Sequence, residues 1–458
     1  MHLFYIEKVK HAPPPEDHLF RRLFPLSAII DELKRLLGHR LARNASWLMV
    51  GQGVNFFLQA AYFLLLARLL GATSYGIFAG AYALVNTVTP YSALGSSMLF
   101  MRYVSMDRST ANAHWGNTLA TILGVSLVVA ASFLWIGPHL LGPARLGLIL
   151  LLVIANCVMS QIVSCASTVF LTIHRVRSAA VNRLLANLTR TITVVIMLAV
   201  MHRATAFQWG VGIVISTSLA AGVALFWVRS AIGRMTFSVR HARSHFWEGV
   251  GFSVAGSTES FYNDFDKVML SHYGLNRESG IYTMAYRVVD FATTPINALV
   301  SATMPRLFAL SPEGFAAVSR RSVKIIRIGV AIGFAAALFT FLSSNWIPRL
   351  AGHGFAEAAL AIRWLCWLPI FRAIHQLSGS ALTATGFQNQ RTLAQLAVSV
   401  FNVGINLWLI PRNGWQGAAW ASLASDGLLG VINVSLMMIH KRGGRINNPT
   451  VFKGEAAI

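Results

Sequence analysis

The sequence predicts an all-α polytopic membrane protein with about twelve transmembrane helices, in two six-helix bundles related by an internal repeat. Three observations lead there. Apolar residues make up 55% of the chain and charged residues only 12%, roughly half the charge of a soluble domain. Apolar runs of about 20 residues recur almost end to end, each long enough to cross a ~30 Å hydrocarbon core at ~1.5 Å per residue. One stretch also occurs twice: Gly76-Ile77-Phe78-Ala79-Gly80-Ala81-Tyr82-Ala83-Leu84-Val85 returns as Gly280-Ile281-Tyr282-Thr283-Met284-Ala285-Tyr286-Arg287-Val288-Val289. Five of the ten positions are identical, and the same offset of 204 carries Arg102 onto Arg306. A duplicated hydrophobic half is how many secondary transporters are built, with the substrate site between the halves.

In chain order, residues 1–44 read as a cytoplasmic tail without the early apolar core and cleavage site of a signal peptide. A polar stretch, His11 to Asp17, leads into an amphipathic one. There Ile29, Ile30, Leu33, Leu36 and Leu37 share one helical face, Asp31, Glu32, Lys34 and Arg35 take the other, and Gly38 is the stop. Such a helix lies on the inner leaflet or docks a partner enzyme. Apolar runs at 45–70, 76–101, 117–137, 147–173, 183–201 and 207–228 give an N-terminal bundle, 45–240. Runs at 248–272, 282–305, 325–346, 358–384, 392–410 and 416–439 give a C-terminal bundle, 241–440, before a second cytoplasmic tail, 441–458. An even number of crossings per half gives both halves one orientation, related by an axis along the membrane normal.

The net charge of +22 is a matter of position. With the N-terminus inside, the inner segments hold 26 Lys or Arg, while the outer loops hold only Arg145, Arg203, Arg277, Arg349 and Arg412, with Arg68 at a helix end. This is the positive-inside asymmetry, and it places both termini in the cytoplasm. The basic loops are drawn to anionic lipid, so the charge requires no nucleic-acid partner. Cys157, Cys165 and Cys366 all fall in apolar runs, which suggests neither a disulfide framework nor a metal site. No catalytic motif appears: there is no Walker loop, His-Glu-x-x-His or Gly-x-Ser-x-Gly. The expectation is a protein that is not an enzyme and has no cofactor, drawing on an ion gradient or on its substrate's own gradient.

An ionisable side chain inside lipid costs about 2.5–3.5 kcal/mol on insertion scales, so each one needs a reason. The seventh run has the richest cluster: Glu259, Asp264, Asp266 and Lys267. Glu259 and Asp266 are seven apart and share a helical face with Tyr262 and Asn263 between them. One reading is a proton- or sodium-coupling site; the other is a structural ion pair of Asp266 with Lys267 or Arg287. Arg287 and Asp290, three apart, can simply pair. Arg363 and Arg372 in the tenth run suggest an anion-binding surface, since guanidinium holds phosphate by bidentate, charge-assisted bonds. Snorkelling is the alternative, and it suits Arg363, near the outer end, better than Arg372. Arg190 and Arg327 read as snorkelling toward the inner end, and Asp426 as structural or coupling. Trp364, Trp367, Trp408, Trp415 and Trp420 read as an interfacial belt.

Four words along the chain point to a family. They are Ala67-Arg68-Leu69-Leu70-Gly71 with Tyr75-Gly76; Asp266-Lys267-Val268-Met269-Leu270 with Ser279-Gly280-Ile281-Tyr282; Thr385-Gly386-Phe387-Gln388-Asn389; and Asn402-Val403-Gly404-Ile405-Asn406-Leu407, running into Ile410-Pro411, Gly414 and Gly417-Ala418-Ala419. Together, over about residues 45–440, they resemble the polysaccharide-transport branch of the multidrug/oligosaccharidyl-lipid/polysaccharide exporter superfamily, the O-antigen and exopolysaccharide flippases. The resemblance implies two six-helix bundles around a partly cationic cavity open to one side at a time. It also implies undecaprenyl-diphosphate-linked oligosaccharide as substrate, moved from the cytoplasmic to the periplasmic leaflet of a bacterial inner membrane, with other polysaccharide-assembly proteins as partners. Asp266 and Lys267 match the family's words. Arg363, Arg372 and Arg287 as diphosphate or sugar contacts, and Glu259 and Asp290 as coupling groups, rest on the reading of the residues themselves. A multidrug exporter of the same superfamily would share the fold but need an acidic, aromatic cavity, so a net positive cavity would argue against it. A membrane glycan polymerase or ligase would need a sizeable outer loop, and every outer loop here is short.

Overall fold

The computed structural model describes residues 39–237, 249–250, 253 and 263–443. The amphipathic stretch 27–37, Glu259 and residues 444–458 lie outside the described residues. In order the helices are α1 (His39–Val88), α2 (Ser96–Met106), α3 (Ala111–Leu141), α4 (Leu146–Leu152), α5 (Gln161–Thr172), α6 (Val176–Met201) and α7 (Ala206–Ile232). After them come α8 (263–272), α9 (Asn276–Leu310), α10 (Phe315–Ser343), α11 (Trp346–Ala351), α12 (Ala358–Leu365), α13 (Leu368–Ala384) and α14 (Gln388–Gly443). A π-helical segment, Val153–Ser160, joins α4 to α5. The fold is all-α, with no strand among the described residues.

Two helices are double. Within α1 the backbone turns left-handed at Gly71 (φ 68°), and within α14 at Gly414 (φ 53°). Glycine occupies such φ values without the steric penalty a β-carbon brings. At Gly414 a β-carbon would also strike the Glu278 carboxylate, which accepts the Trp415 N–H at 2.8 Å where the next helix begins. Eight helices of the described residues are long and apolar enough to cross a membrane. Dividing two of them at Gly71 and Gly414 yields ten crossings. The other two expected crossings are α8, which is only partly described, and α9. α9 falls short in hydropathy because Arg287, Asp290, Asn297, two prolines and several Thr and Ser interrupt its apolar run. The repeat locates it all the same.

The repeat is also where the two halves meet. Residues 72–88 of α1 pack along α9, and a β-carbon on Gly76 would strike the Asn276 carbonyl, while one on Gly280 would strike the Ala72 carbonyl. Gly80 stands equally close to the side chain of Ser271. Lipid is as apolar as leucine, so helices in a membrane associate through close van der Waals packing, which small residues four apart permit. Tyr75, Ile281 and Tyr282, around this crossing, are all buried. Arg145, before α4, ties the same end across the seam: its guanidinium donates to the Ser271 carbonyl (3.1 Å), the Ser271 hydroxyl (2.7 Å) and the Asn276 side chain (3.0 Å). The outward faces are apolar and exposed, as Leu127, Val195, Phe334 and Val400 show, which suits helices whose solvent is hydrocarbon.

Candidate functional site

Further along the same two helices the packing opens into a cavity of ≈ 660 Å³ between the halves. Tyr82 and Asn86 of α1 line one side, and Tyr286, Arg287 and Asp290 of α9 line the other. α8 supplies Asn263, Asp264 and Lys267; α13 supplies Arg372, His375 and Gln376; α14 supplies Arg391, Gln395 and Asp426. The two sides are built from one motif. The offset of 204 that relates Gly76 to Gly280 relates Tyr82 to Tyr286 and Asn86 to Asp290.

Two ion clusters meet at Tyr286. In the first, Arg372 pairs with Asp290 (2.7 Å) and Asp426 (3.4 Å) and donates to the Tyr286 hydroxyl (2.6 Å). His375 stands 3.9 Å from the other Asp426 oxygen. In the second, Lys267 pairs with Asp264 (3.2 Å) and Asp266 (3.3 Å) and donates to the Asn263 carbonyl. Asp266 lies behind the cavity wall. It accepts from the Tyr282 hydroxyl, from Ser422 (3.4 Å) and from the Lys267 backbone N–H (2.7 Å). The Tyr286 ring separates the clusters, with Lys267 Nζ 4.3 Å and the Arg372 guanidinium 5.1 Å from its centroid. Both cations therefore gain from the ring quadrupole as well as from their carboxylates.

Across the seam the contacts are fewer and weaker. Asn86 donates to Asp264 at 2.6 Å. Arg287 lies 4.8 Å over the Phe63 ring and 3.9 Å from Asp290. A second cavity of ≈ 210 Å³, which shares Tyr82, Asp264, Lys267 and Arg287 with the first, runs on into the N-terminal half past Gln59, Tyr62 and Arg190.

Of the residues singled out in the sequence, Lys267, Arg287, Asp290 and Arg372 line the cavity, and Asp266 backs it. Glu259 is outside the described residues. Arg363 is not brought to the site. It is exposed, bonded to Ser344 (3.1 Å) and Asn345 (3.1 Å), and lies over the Phe341 ring. It sits on α12, which ends at Leu365, whereas Arg372 is on α13, which begins at Leu368, so the break between the helices separates the two. Arg190 departs from its reading as an end-of-span residue. Because α6 begins at Val176, Arg190 sits in mid-helix, donates to Ser160 at 2.7 Å and lines the second cavity. Sequence reasoning passed over Tyr286, His375 and Asn86. Of these, Tyr286 carried a signal in the repeat, where it matches Tyr82.

A model of the family described as polysaccharide biosynthesis protein matches residues 41–311, more than half of the chain. The chain belongs to that family. No curated protein matches it. Solved structures with the same fold include an inward-facing multidrug resistance MATE family transporter of the MOP superfamily (TM-score 0.69, 13% identity, covering 85% of this chain and 94% of that one). Another is the MATE multidrug transporter DinF-BH (0.61, 15%, 87% and 95%). A third is a MOP superfamily transporter from Pyrococcus furiosus, described as having a binding pocket of reverse polarity (0.59, 12%, 88% and 95%). At these identities the likeness is one of fold. The chain thus belongs to a polysaccharide biosynthesis family and has the fold of these multi-pass membrane transporters.

Proposed function

We propose that the protein is a flippase that moves undecaprenyl-diphosphate-linked oligosaccharide from the cytoplasmic to the periplasmic leaflet of a bacterial inner membrane, coupled to a proton or sodium gradient. The observation that carries the reading is the convergence of Lys267, Arg287 and Arg372 on one cavity between the halves, within a rim of amides and hydroxyls. A diphosphate needs several cationic donors in a poorly hydrated place. Each of these cations already holds a carboxylate, so the anion enters by exchange: phosphate oxygens replace Asp290 on Arg372, while Asp426 stays in place. Glycan hydroxyls meet Asn263, Asn297, Gln376 and Gln395, and the polyprenyl tail stays in lipid between the halves.

The cavity reaches Arg391 and Gln395, beside the loop that the positive-inside rule assigns to the cytoplasm, and the seam is closed at Gly76 and Gly280. This is a loading state, open inward, with both termini cytoplasmic. Coupling centres on Asp266. A proton or sodium ion on its carboxylate would weaken its hold on Lys267 and Tyr282 and so loosen α8 from α9.

One observation favours a multidrug exporter instead. The cavity lining holds four Lys or Arg against three Asp, with Asp266 behind, and it carries Tyr82 and Tyr286. That is close to charge balance rather than the clear positive excess expected of a diphosphate site. Proteoliposomes decide between the two. The lipid-linked oligosaccharide and an aromatic organic cation are offered in turn, with and without a pH or sodium gradient. Gradient-driven shielding of the glycan from an external sugar-modifying enzyme supports the flippase. Gradient-driven movement of the organic cation alone would replace it with the exporter.

A further inference from the structure

The N-terminal half holds a third cavity, of ≈ 290 Å³, open on one side and bounded by α1, α5, α6 and α7. It is lined by Asn55, Gln59, Ser160, Arg183, Asn187 and Arg190, among others, and no carboxylate lines it among the described residues. It shares Gln59, Asn187 and Arg190 with the second cavity, which in turn shares Lys267 and Arg287 with the first. Shared lining residues thus link the central ion clusters to the N-terminal bundle.

Arg190 is held here by construction. Its Nη2 donates to the Ser160 hydroxyl at 2.7 Å, and that hydroxyl donates to the Ala155 carbonyl, five residues back, at 2.8 Å. Ser160 is the last residue of the π-helical segment, and such segments are rare and cluster at functional sites. Opposite, Asn187 donates to Asn55 and fixes the wall between α6 and α1. Arg190 Nε is buried and has no hydrogen-bond partner among the described residues. Arg372, by contrast, has three partners. A guanidinium carries five donors in a fixed fork, and burying one of them unanswered is costly unless a ligand answers it. Amides and hydroxyls around two arginines, with no carboxylate, are the donors that an oxyanion takes.

We propose that this N-terminal cavity is a second oxyanion site, which takes a phosphate or carboxylate group of the transported molecule on Arg190 with Asn187, and with Arg183 at its mouth. The proposal rests on the reading that the cargo is anionic. Two sources supply that chemistry: the diphosphate itself, on its way across, or an acidic sugar of the glycan while the diphosphate sits at Arg372.

The test reads the cavity without asking whether anything is transported. Ser164 lines it and is exposed, whereas all three native cysteines are buried. Ser164→Cys in the full chain, in nanodiscs of neutral lipid, is alkylated with a soluble maleimide in the presence of pyrophosphate, glucuronate or glucose. Alkylation slowed several-fold by pyrophosphate or glucuronate but not by glucose, with the protection lost in Arg190→Gln and partly kept in Arg190→Lys, is the expected result. Protection by pyrophosphate alone assigns the cavity to the headgroup, and by glucuronate alone to an acidic sugar. Equal rates with all three compounds, or protection that survives Arg190→Gln, would overturn the site. Proteoliposomes that still move the glycan would then leave the flippase reading intact while the second site falls. Protection in a protein that moves no glycan would do the reverse.

Discussion

The two copies of the repeated helix do the same packing and different chemistry. Gly76 and Gly280 face one another across the seam and let the backbones close. One to three turns on, the copies diverge: Ala83 answers to Arg287, and Asn86 to Asp290, although Tyr82 and Tyr286 both line the cavity. Duplication has kept the positions that join the halves and placed the charge on one side only. Arg372, Asp290, Asp426 and Tyr286, all in the C-terminal half, form a network that does not depend on the other half. Beside the cavity the seam is crossed by the hydrogen bond from Asn86 to Asp264, by Arg287 over the Phe63 ring, and by the Phe291 ring against Phe56 and Phe63, with no ion pair among the described residues. Halves joined in this way can separate without stranding a buried charge, as a cavity that alternates between two sides requires.

That contrast can be broken at several points. The largest effect should come from Arg372→Ala. It leaves Asp426, 2% exposed, beside an emptied space, and removing one partner of a buried pair costs roughly 3–5 kcal/mol. A clear fall in the thermal midpoint of the detergent-solubilised protein is expected, with loss of lipid-linked glycan binding. Gly280→Ala and Gly76→Ala should follow at the upper end of the roughly 1–3 kcal/mol usual for overpacking, since even a β-carbon meets backbone there, and by similar amounts, because the two copies share this job. A loss confined to one copy in the same thermal assay would mean that the seam is not symmetric in its packing.

The charged positions should separate the copies. Asp290→Asn gives up a charge-assisted bond at a side chain that is 37% exposed, so about 1 kcal/mol is expected, less than a buried hydrogen bond to a charged group because solvent screens it. Asn86→Asp costs a similar amount for a different reason: it removes the donor to Asp264 and sets two carboxylates together. Of the two, only Asn86→Asp should weaken anion binding, because it adds negative charge where Asp290→Asn removes it. Arg363→Ala should change stability by less than ~1 kcal/mol, as for an exposed charge, and leave transport unaltered. A transport defect there would return Arg363 to the site.

The spans were legible because little besides a membrane crossing demands an apolar run of ~20 residues. The exception is instructive. α9 falls short of the hydropathy of the other spans, yet its run at 282–305 is legible in the sequence, and its likeness to residues 76–101 supports it. Its charge is the price of lining the cavity. The same tension accounts for the site. Lys267, Arg287, Asp290 and Arg372 stood out because ionisable residues in lipid are costly, and they converge as that cost suggests. Arg363 stood out equally and points elsewhere, since the break between α12 and α13 sets it apart from Arg372. Arg190 was missed because the apolar run starts at residue 183 while the helix starts at Val176, which turned a mid-helix cation into an apparent end residue. His375 and Asn86 carried no charge signal of their own, and only the folded chain brings them beside Asp426 and Asp264.

On this reading the cavity between the repeated helices holds a lipid-linked oligosaccharide. The reading is tested most directly at Ser301, which is exposed and lines that cavity. Ser301→Cys is to be alkylated with a soluble maleimide while polyprenyl-diphosphate oligosaccharide is titrated in, with Trp364→Cys, outside the cavity, as reference. Saturable protection of Ser301→Cys, absent at Trp364→Cys and relieved by Arg372→Ala, is the predicted result. Equal alkylation of both cysteines at every concentration would contradict the account.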